Sequence, residues 1–376
     1  MRPIGVDRMG AAADAISDRA VLRLENLDTD IRPLKAALTA TLEAVADDDA
    51  NSYLPFPGHE RLRRAAAAHV SRLSGVEYDW SEQCVISAGG LNGIVNVLLA
   101  LVEPGDEVVL TDPAYIGLLN RARLAGATTR TVPLVPGREG WRLDHDALRA
   151  VVGPRTRAIV AMSPSMPTGC VHDAEDWAVI RDLCVEHDLW LIEDAAMQRL
   201  LFDDRPLIAP AGLPEMAERT ITVGSASKEL RMIGWRVGWT VAPRSIVDAI
   251  GLVAISNVVC QVGIAQTAVA VALEAGDSDV AVATAELERR RDVVMGELDG
   301  LPAIGPHGGW SLLLESNALG HDAETAAALL LDRARIAATP MTGWGEEAAR
   351  YVRLVFANEP VERLEGIGQR VRAALT

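Results

Sequence analysis

Lysine is almost missing from this chain. Only Lys35 and Lys228 stand beside 34 arginines, so a lysine inside a motif carries unusual weight here. Positive charge as a whole is short as well: 36 Lys and Arg face 52 Asp and Glu, a net charge of −16 and a pI near 4.9. The broad positive field that phosphate backbones and anionic headgroups attract is absent, which argues against nucleic acid and membrane surfaces as partners. Aromatic residues make up 4%, but 49% hydrophobic against 23% charged residues excludes global disorder. Cysteine is sparse too. Cys84, Cys170, Cys184 and Cys260 are far apart, form no C-x-x-C and sit in apolar stretches, which predicts buried free thiols and fits a reducing cytoplasm. The seven histidines form no H-x-x-x-H, so no metal site is expected. No G-x-G-x-x-G follows the first strand, which removes the usual signature of hydride-transferring dinucleotide enzymes. The N-terminus lacks the apolar run of a secretory signal. One stretch, Ala249 to Leu273, runs 25 residues without a charge. Ser256, Asn257, Gln261 and Gln266 interrupt it, so a buried interface helix pair is expected there rather than a membrane span.

At 376 residues the chain is two to three times an ordinary domain of ~150 residues. From about residue 80, short β-branched runs alternate with helical stretches, the pattern of a mostly parallel sheet covered on both faces. Expected strands are Cys84–Ala88, Glu107–Thr111, Thr128–Pro133, Ala158–Ser163, Leu189–Asp194, Thr220–Gly224 and Arg236–Val241. Helices are expected over Asn92–Val102, Ala174–His187, Ser245–Ile255 and the charge-rich Asp279–Leu298. Beyond, the order becomes strand (Trp310–Glu315), helix (Ala323–Arg335), strand (Tyr351–Ala357) and helix (Val361–Ala374). The expectation is an α/β fold with a large domain, 46–278, built on a seven-stranded sheet, and a smaller α+β domain from 279–376. The first 45 residues show no sheet pattern and are assigned to the smaller domain.

The most informative segment is Thr220 to Trp239, TITVGSASKELRMIGWRVGW. A strand ends in a small-residue turn holding Lys228, one of the two lysines, and Arg236 follows eight residues later. Asp194 closes the apolar strand LWLIED, 34 residues before Lys228. In VISAGGLNG, Gly89 and Gly90 join a strand to a helix, leaving the free N–H groups of that turn, Leu91 included, able to meet an anion. Arg353 alternates with apolar residues in YVRLVFA, and an arginine in a half-buried strand needs an anion partner.

The Ser-x-Ser-Lys…Gly-x-Arg-x-Gly arrangement resembles that of the pyridoxal-phosphate enzymes of the aspartate aminotransferase family (fold type I, class I/II), and the resemblance runs from about Asn51 to Ala357. It implies that Lys228 forms the Schiff base with pyridoxal 5′-phosphate and later moves the proton at the substrate Cα. It implies that Asp194 pairs with the pyridine nitrogen and Tyr115, in TDPAYIG, stacks on the ring. Gly89, Gly90, Leu91, Ser225 and Arg236 would surround the phosphate, and Arg353 would grip the substrate α-carboxylate. Tyr53 opens YLPFPGHERLR, similar to a family segment whose tyrosine reaches the phosphate of a neighbouring subunit, which implies a homodimer with shared active sites. Gly308, Gly309 and Trp310 follow the family's small-domain pattern and are read as structural.

Two departures stand out. SPSMPTG, Ser163 to Gly169, places Met166 where the family has an asparagine, and DAAMQ places Met197 where it has a tyrosine. Both family residues donate to the cofactor's 3′-oxygen, so their loss implies a Schiff base that stays protonated to higher pH, unless Gln198, Asn92 or water supplies a donor. The second is RLENLDTD, Arg23 to Asp30, in place of a glycine-containing loop; its acids are expected to face solvent. The reading is a cytoplasmic homodimeric aminotransferase passing an α-amino group from an amino acid to a 2-oxo acid. The alternatives are a lyase, cyclase or oxidase working through a quinonoid on the same fold, and a non-catalytic cofactor-binding regulator, which the missing basic helix-turn-helix module and the acidic charge disfavour.

Overall fold

In the computed structural model, residues 5–16, 18–137 and 139–376 are described. Helix α1 (Gly5–Asp14), the two-residue strand β1 (Leu22–Arg23) and α2 (Lys35–Val45) precede α3 (Glu60–Ser74) and the one-turn α4 (Trp80–Gln83). Strands and helices then alternate: β2 (Cys84–Ser87), α5 (Gly90–Leu101), β3 (Glu107–Asp112), α6 (Ile116–Leu124), β4 (Thr128–Gly137), β5 (Gly140–Leu143), α7 (His145–Val151), β6 (Thr156–Met162), α8 (Ala174–Glu186), β7 (Trp190–Asp194), β8 (Thr220–Ser225) and β9 (Gly238–Val241). Three helices follow, α9 (Arg244–Asn257), α10 (Gly263–Glu274) and α11 (Ser278–Glu297). The chain ends with β10 (Ala303–Ile304), β11 (Ser311–Glu315), α12 (Ala323–Ala334), β12 (Ile336–Ala337), β13 (Thr339–Pro340), β14 (Tyr351–Val355), α13 (Val361–Leu364) and α14 (Ile367–Leu375).

The large sheet has the order β2-β9-β8-β7-β6-β3-β4-β5. Strands β8, β7, β6, β3 and β4 run parallel, and β9 is antiparallel to both its neighbours. All seven expected strands are present. The sheet has eight rather than seven because β4 turns back at Gly140 as the hairpin strand β5, whose four residues are too few to show a period of two. The central strands are buried along nearly their whole length, as helices covering both faces require. One apolar core, including Val97, Leu110, Ile159 and Trp177, fills the α5–α8 side. The other runs from Leu62 and Trp239 through to Leu312 and Phe356 of the second sheet.

That second sheet, β10-β11-β14-β13, is antiparallel. The N-terminal 45 residues divide between the two layers. β1 pairs with β12 and α1 packs on β12 and β13, while α2 lies along α10. The expected last helix is two, because Gly366 enters the left-handed region at φ 78° and breaks it between α13 and α14. The uncharged stretch becomes α9 and α10 with a break at 258–262, and no helix among the described residues is long and apolar enough to cross a membrane.

Helix α8 begins with a reciprocal capping box: Asp173 accepts from the N–H groups of Glu175 and Asp176 at 2.8 and 3.0 Å, and Asp176 accepts from Asp173 N–H at 3.1 Å. Asp173→Ala is expected to cost about 1 kcal/mol of stability, read as a lower urea midpoint. Asp173 is not part of the cavity described next, so its ligand binding should be unchanged.

Candidate active site

The carboxyl ends of the parallel strands and the turns after them converge at one edge of the sheet, the position where open α/β sheets bind ligands. β2 runs into Gly89 and Gly90, β3 into Tyr115, β6 into Met166, β7 ends on Asp194, and β8 leads to Lys228. Because β9 is reversed, Arg236 enters the same edge just ahead of it. A cavity of about 220 Å³ lies there, and Gly90, Leu91, Tyr115, Met166, Asp194, Met197, Ser225, Lys228 and Arg236 all line it. Distant in sequence, these residues meet because the ends of five strands that point the same way, and the start of the reversed β9, share one edge of the sheet.

At one end the backbone forms a cradle. Gly89 sits at φ 85°, and a Cβ there would fall 2.5 Å from Arg236 Nη2. A Cβ on Gly238 would meet the backbone of Gly89 and Gly90 at 2.6 and 2.7 Å, so only glycine lets β9 pass this turn. The first-turn N–H groups of the twelve-residue α5 open here. Arg236 Nη1 donates to Ser227 Oγ at 3.2 Å and to the Ile233 carbonyl at 2.9 Å, and Ser225 Oγ accepts from Ser227 N–H at 3.2 Å. Among the described residues no carboxylate pairs with Arg236. Hydroxyls, a guanidinium and helix N–H groups facing one space suit a phosphate dianion.

At the other end, Lys228 Nζ donates to the Leu27 carbonyl at 2.9 Å and lies 4.4 Å from the centre of the Trp310 ring. Burial, with help from the positive charges of Arg353 and Arg236, lowers the Lys228 amine to about 7, against the pull of Asp28 and Asp194. Asp194 is buried and accepts from Ala196 N–H at 3.2 Å. Burial raises its carboxyl to about 6, opposed by that hydrogen bond and by Lys228. Tyr115 leans on Trp344 with ring centres 5.7 Å apart.

Arg353 lies just behind the cavity wall and is fully buried. Its Nη2 donates to the Glu25 carbonyl at 2.6 Å and to Thr339 Oγ1 at 3.2 Å, Nη1 reaches Met166 Sδ at 3.9 Å, and Nε has no acceptor. Burial lowers its ionisation to about 10 while Tyr115 and Glu25 support the charge. A buried guanidinium with a free donor and no carboxylate among the described residues is set up for an incoming anion.

Tyr53 is not brought to the cavity. It is 84% exposed, beside a groove of about 590 Å³ formed by residues 50–53 and 260–264. The acids of RLENLDTD are not simply solvated either: Glu25 is fully buried against Arg23 at 2.7 Å, and Asp30 meets Arg290 at 2.6 Å. Arg23 lies within the run itself and Arg290 far along the chain, so the spacing of charges in the run does not show which acids are covered. Asn92 and Gln198 do not line the cavity, and Asn92 is occupied by Ala88 N–H at 3.0 Å and by Asn257. Leu27, Ser227, Met162 and Ile233 also line the cavity, and Trp310 touches Lys228 rather than being only structural. Ser227 stands directly before Lys228 in the Ser-x-Ser-Lys arrangement, a signal that could have found it; Leu27 acts through a carbonyl, which every residue has.

The chain matches the profile of the family described as aminotransferase class I and II over residues 22–371. It belongs to that family. A probable N-succinyldiaminopimelate aminotransferase of Mycobacterium tuberculosis is 38% identical over 317 residues, 83% of this chain and 79% of that protein. An arginine–pyruvate transaminase of Pseudomonas aeruginosa is 32% identical over 94% of this chain and 92% of its own length. Among solved structures, the N-succinyldiaminopimelate aminotransferase of M. tuberculosis superposes with a TM-score of 0.93 at 33% identity, covering 99% of this chain and 97% of that one. Aspartate aminotransferase from Thermus thermophilus with maleate gives 0.91 at 30% identity, covering 100% and 97%. This aminotransferase is therefore a pyridoxal-phosphate enzyme with the α/β architecture of the aspartate aminotransferases, and the cradle, the buried carboxyl and the half-buried lysine fit that cofactor.

With its amine near 7, Lys228 is largely neutral just above neutrality, and only the neutral amine attacks an aldehyde. Capture of pyridoxal 5′-phosphate by the empty enzyme should accelerate between about pH 6 and about pH 8 and then level off, whereas an ordinary lysine would keep it rising toward pH ~10.4. Stopped-flow absorbance checks this, and a rate still climbing well above that range would show an unperturbed lysine.

Proposed function

We propose that Gly89, Gly90, Leu91, Ser225 and Arg236 hold the phosphate of pyridoxal 5′-phosphate, that Asp194 and Tyr115 hold its ring, that Lys228 is its covalent tether, and that Arg353 takes the substrate carboxylate. The reaction is transfer of the α-amino group of an amino acid to a 2-oxo acid. The observation that carries this is the single cavity onto which Lys228 and Asp194 both open, with the unpaired Arg353 immediately behind Met166.

When bound, the cofactor supplies an electron sink for the pair left on Cα as its proton departs. Asp194 offers a carboxylate to the ring nitrogen, and a cation there would hold it ionised against its burial. Lys228, with its amine near 7, would accept the Cα proton and deliver it to the cofactor's former aldehyde carbon across the intervening nitrogen, with the Leu27 carbonyl and the Trp310 face limiting where Nζ travels. Leu27, Leu91, Met162 and Ile233 keep the walls apolar, which excludes water and strengthens the charge contacts inside. Met166 and Met197 present thioethers where the ring's 3′-oxygen is expected, and a thioether donates no hydrogen bond.

The relatives are named for succinylated diaminopimelate, arginine and aspartate, whose side chains differ in charge. What such donors share is an α-carboxylate beside the amine, and Arg353 addresses that shared part. In this reading residues 46–278 form the cofactor-binding unit, and 1–45 with 279–376 bring Leu27 and Arg353 to it. The enzyme acts in the cytoplasm as a homodimer. Tyr53 is 84% exposed among Phe56, Val259 and Val262, each more than half exposed, an apolar face suited to a second copy, and across that interface Tyr53 would reach the partner's phosphate site.

Arg353→Leu is expected to lower kcat/KM by about 2–4 kcal/mol, chiefly through KM for the amino donor; an unchanged KM would put the carboxylate elsewhere. Tyr53→Ala and Lys228→Ala homodimers should both be impaired, the latter fully. Mixing them should restore activity, because each hybrid dimer holds one intact site; no recovery after verified subunit exchange would refute the shared site.

A further inference from the structure

We propose that Arg199 and Glu229 are positioning residues that brace the turns carrying Asp194 and Lys228 against each other. Glu229 directly follows Lys228, and Arg199 lies in the turn that leaves Asp194 and passes through Met197. One Glu229 oxygen accepts the backbone N–H of Arg199 at 2.7 Å, and the other accepts its Nε at 2.6 Å. Both side chains are buried. Arg199 continues through Nη1 to Asp277 at 2.6 Å, and Asp277 is held by both terminal nitrogens of Arg72 at 2.8 and 2.9 Å. The brace thus runs from the cavity floor to α3 and to the residue that precedes α11. On the far side of the lysine turn, Arg231 donates to the Glu229 carbonyl and pairs with Asp279, also on α11.

The thioethers make this brace necessary. Neither Met166 nor Met197 can tether a ring by donating to it, so the orientation of a group held between Asp194 and Lys228 depends on how rigidly those two are placed. A carboxylate with both oxygens engaged by one residue of the neighbouring turn removes most of the relative freedom of the two turns. The inference rests on the cofactor site proposed above.

The test uses the cofactor-loaded enzyme with Arg199→Met and Glu229→Leu combined. Replacing a buried pair by apolar side chains of similar volume is near neutral for stability, but Glu229→Leu leaves the Arg199 N–H without its acceptor, so a modest fall in melting temperature is expected and both readouts are taken well under it. The expected result is a weakened visible circular dichroism of the bound cofactor, which reports its orientation, and a kcat lower by about tenfold or more with KM within about twofold. Unaltered dichroism and kcat would overturn the proposal and leave the pair a purely structural one. If the double variant does not fold, Glu229→Gln carries the same readouts. Its amide retains an acceptor for the Arg199 N–H but opposes a donor to Nε, so unaltered dichroism and kcat would again overturn the proposal. An unaltered chain that shows no cofactor band when mixed with pyridoxal 5′-phosphate would instead defeat the functional reading itself.

Discussion

Arg353 has no exposed surface and, among the described residues, no carboxylate at ion-pair distance, and one of its nitrogens has no acceptor at all. A guanidinium in that state is tolerated only because backbone and hydroxyl oxygens from Glu25 and Thr339 carry part of its charge and an anion can complete the rest. Those two supports come from the N-terminal segment and from β13, the strand that pairs with β14 on which Arg353 sits. The small sheet, the N-terminal segment and the cavity wall at Met166 are therefore tied together around one unsatisfied cation. The same principle operates at the cradle, where Arg236 has hydroxyl and carbonyl partners but no carboxylate among the described residues.

Asp194 and Lys228 show the complementary effect. Burial pushes the acid up to about 6 and the amine down to about 7, each toward its neutral form, while each charge pulls the other back. Both consequently titrate close to neutrality, where small movements of charge decide which holds a proton. That sensitivity is useful for a group that must accept and release a proton within one cycle, and it demands fixed positions. The buried Arg199–Glu229 pair lies immediately beneath these two residues, where rigidity matters most.

Lys228 was legible because lysine is scarce and because a strand, a small-residue turn and Arg236 surround it in one short segment. The seven principal strands were legible from their β-branched runs. The hairpin strand β5 and the break at Gly366 were not, since four residues and one glycine leave little periodic signal. Glu25 looked like part of a solvated charge run, yet it is buried because Arg23 turns back on it and β1 pairs the segment with β12. Leu27 contributes only a carbonyl, and Trp310 is a partner of Lys228 because the Gly308–Gly309 turn before it packs against Pro164 and Met197.

Local sequence determined the elements and the chemistry each could bring: the amine, the carboxyl, the glycine turn, the guanidiniums and the two thioethers where donors were expected. It could do so because side-chain chemistry and strand periodicity are properties of a few neighbouring residues. Tertiary structure decided which of these meet and in what state of ionisation. Strand order places five turns from distant parts of the chain at one sheet edge, and burial there shifts the titration of Asp194, Lys228 and Arg353 together, an effect that depends on neighbours in space and on the loss of water.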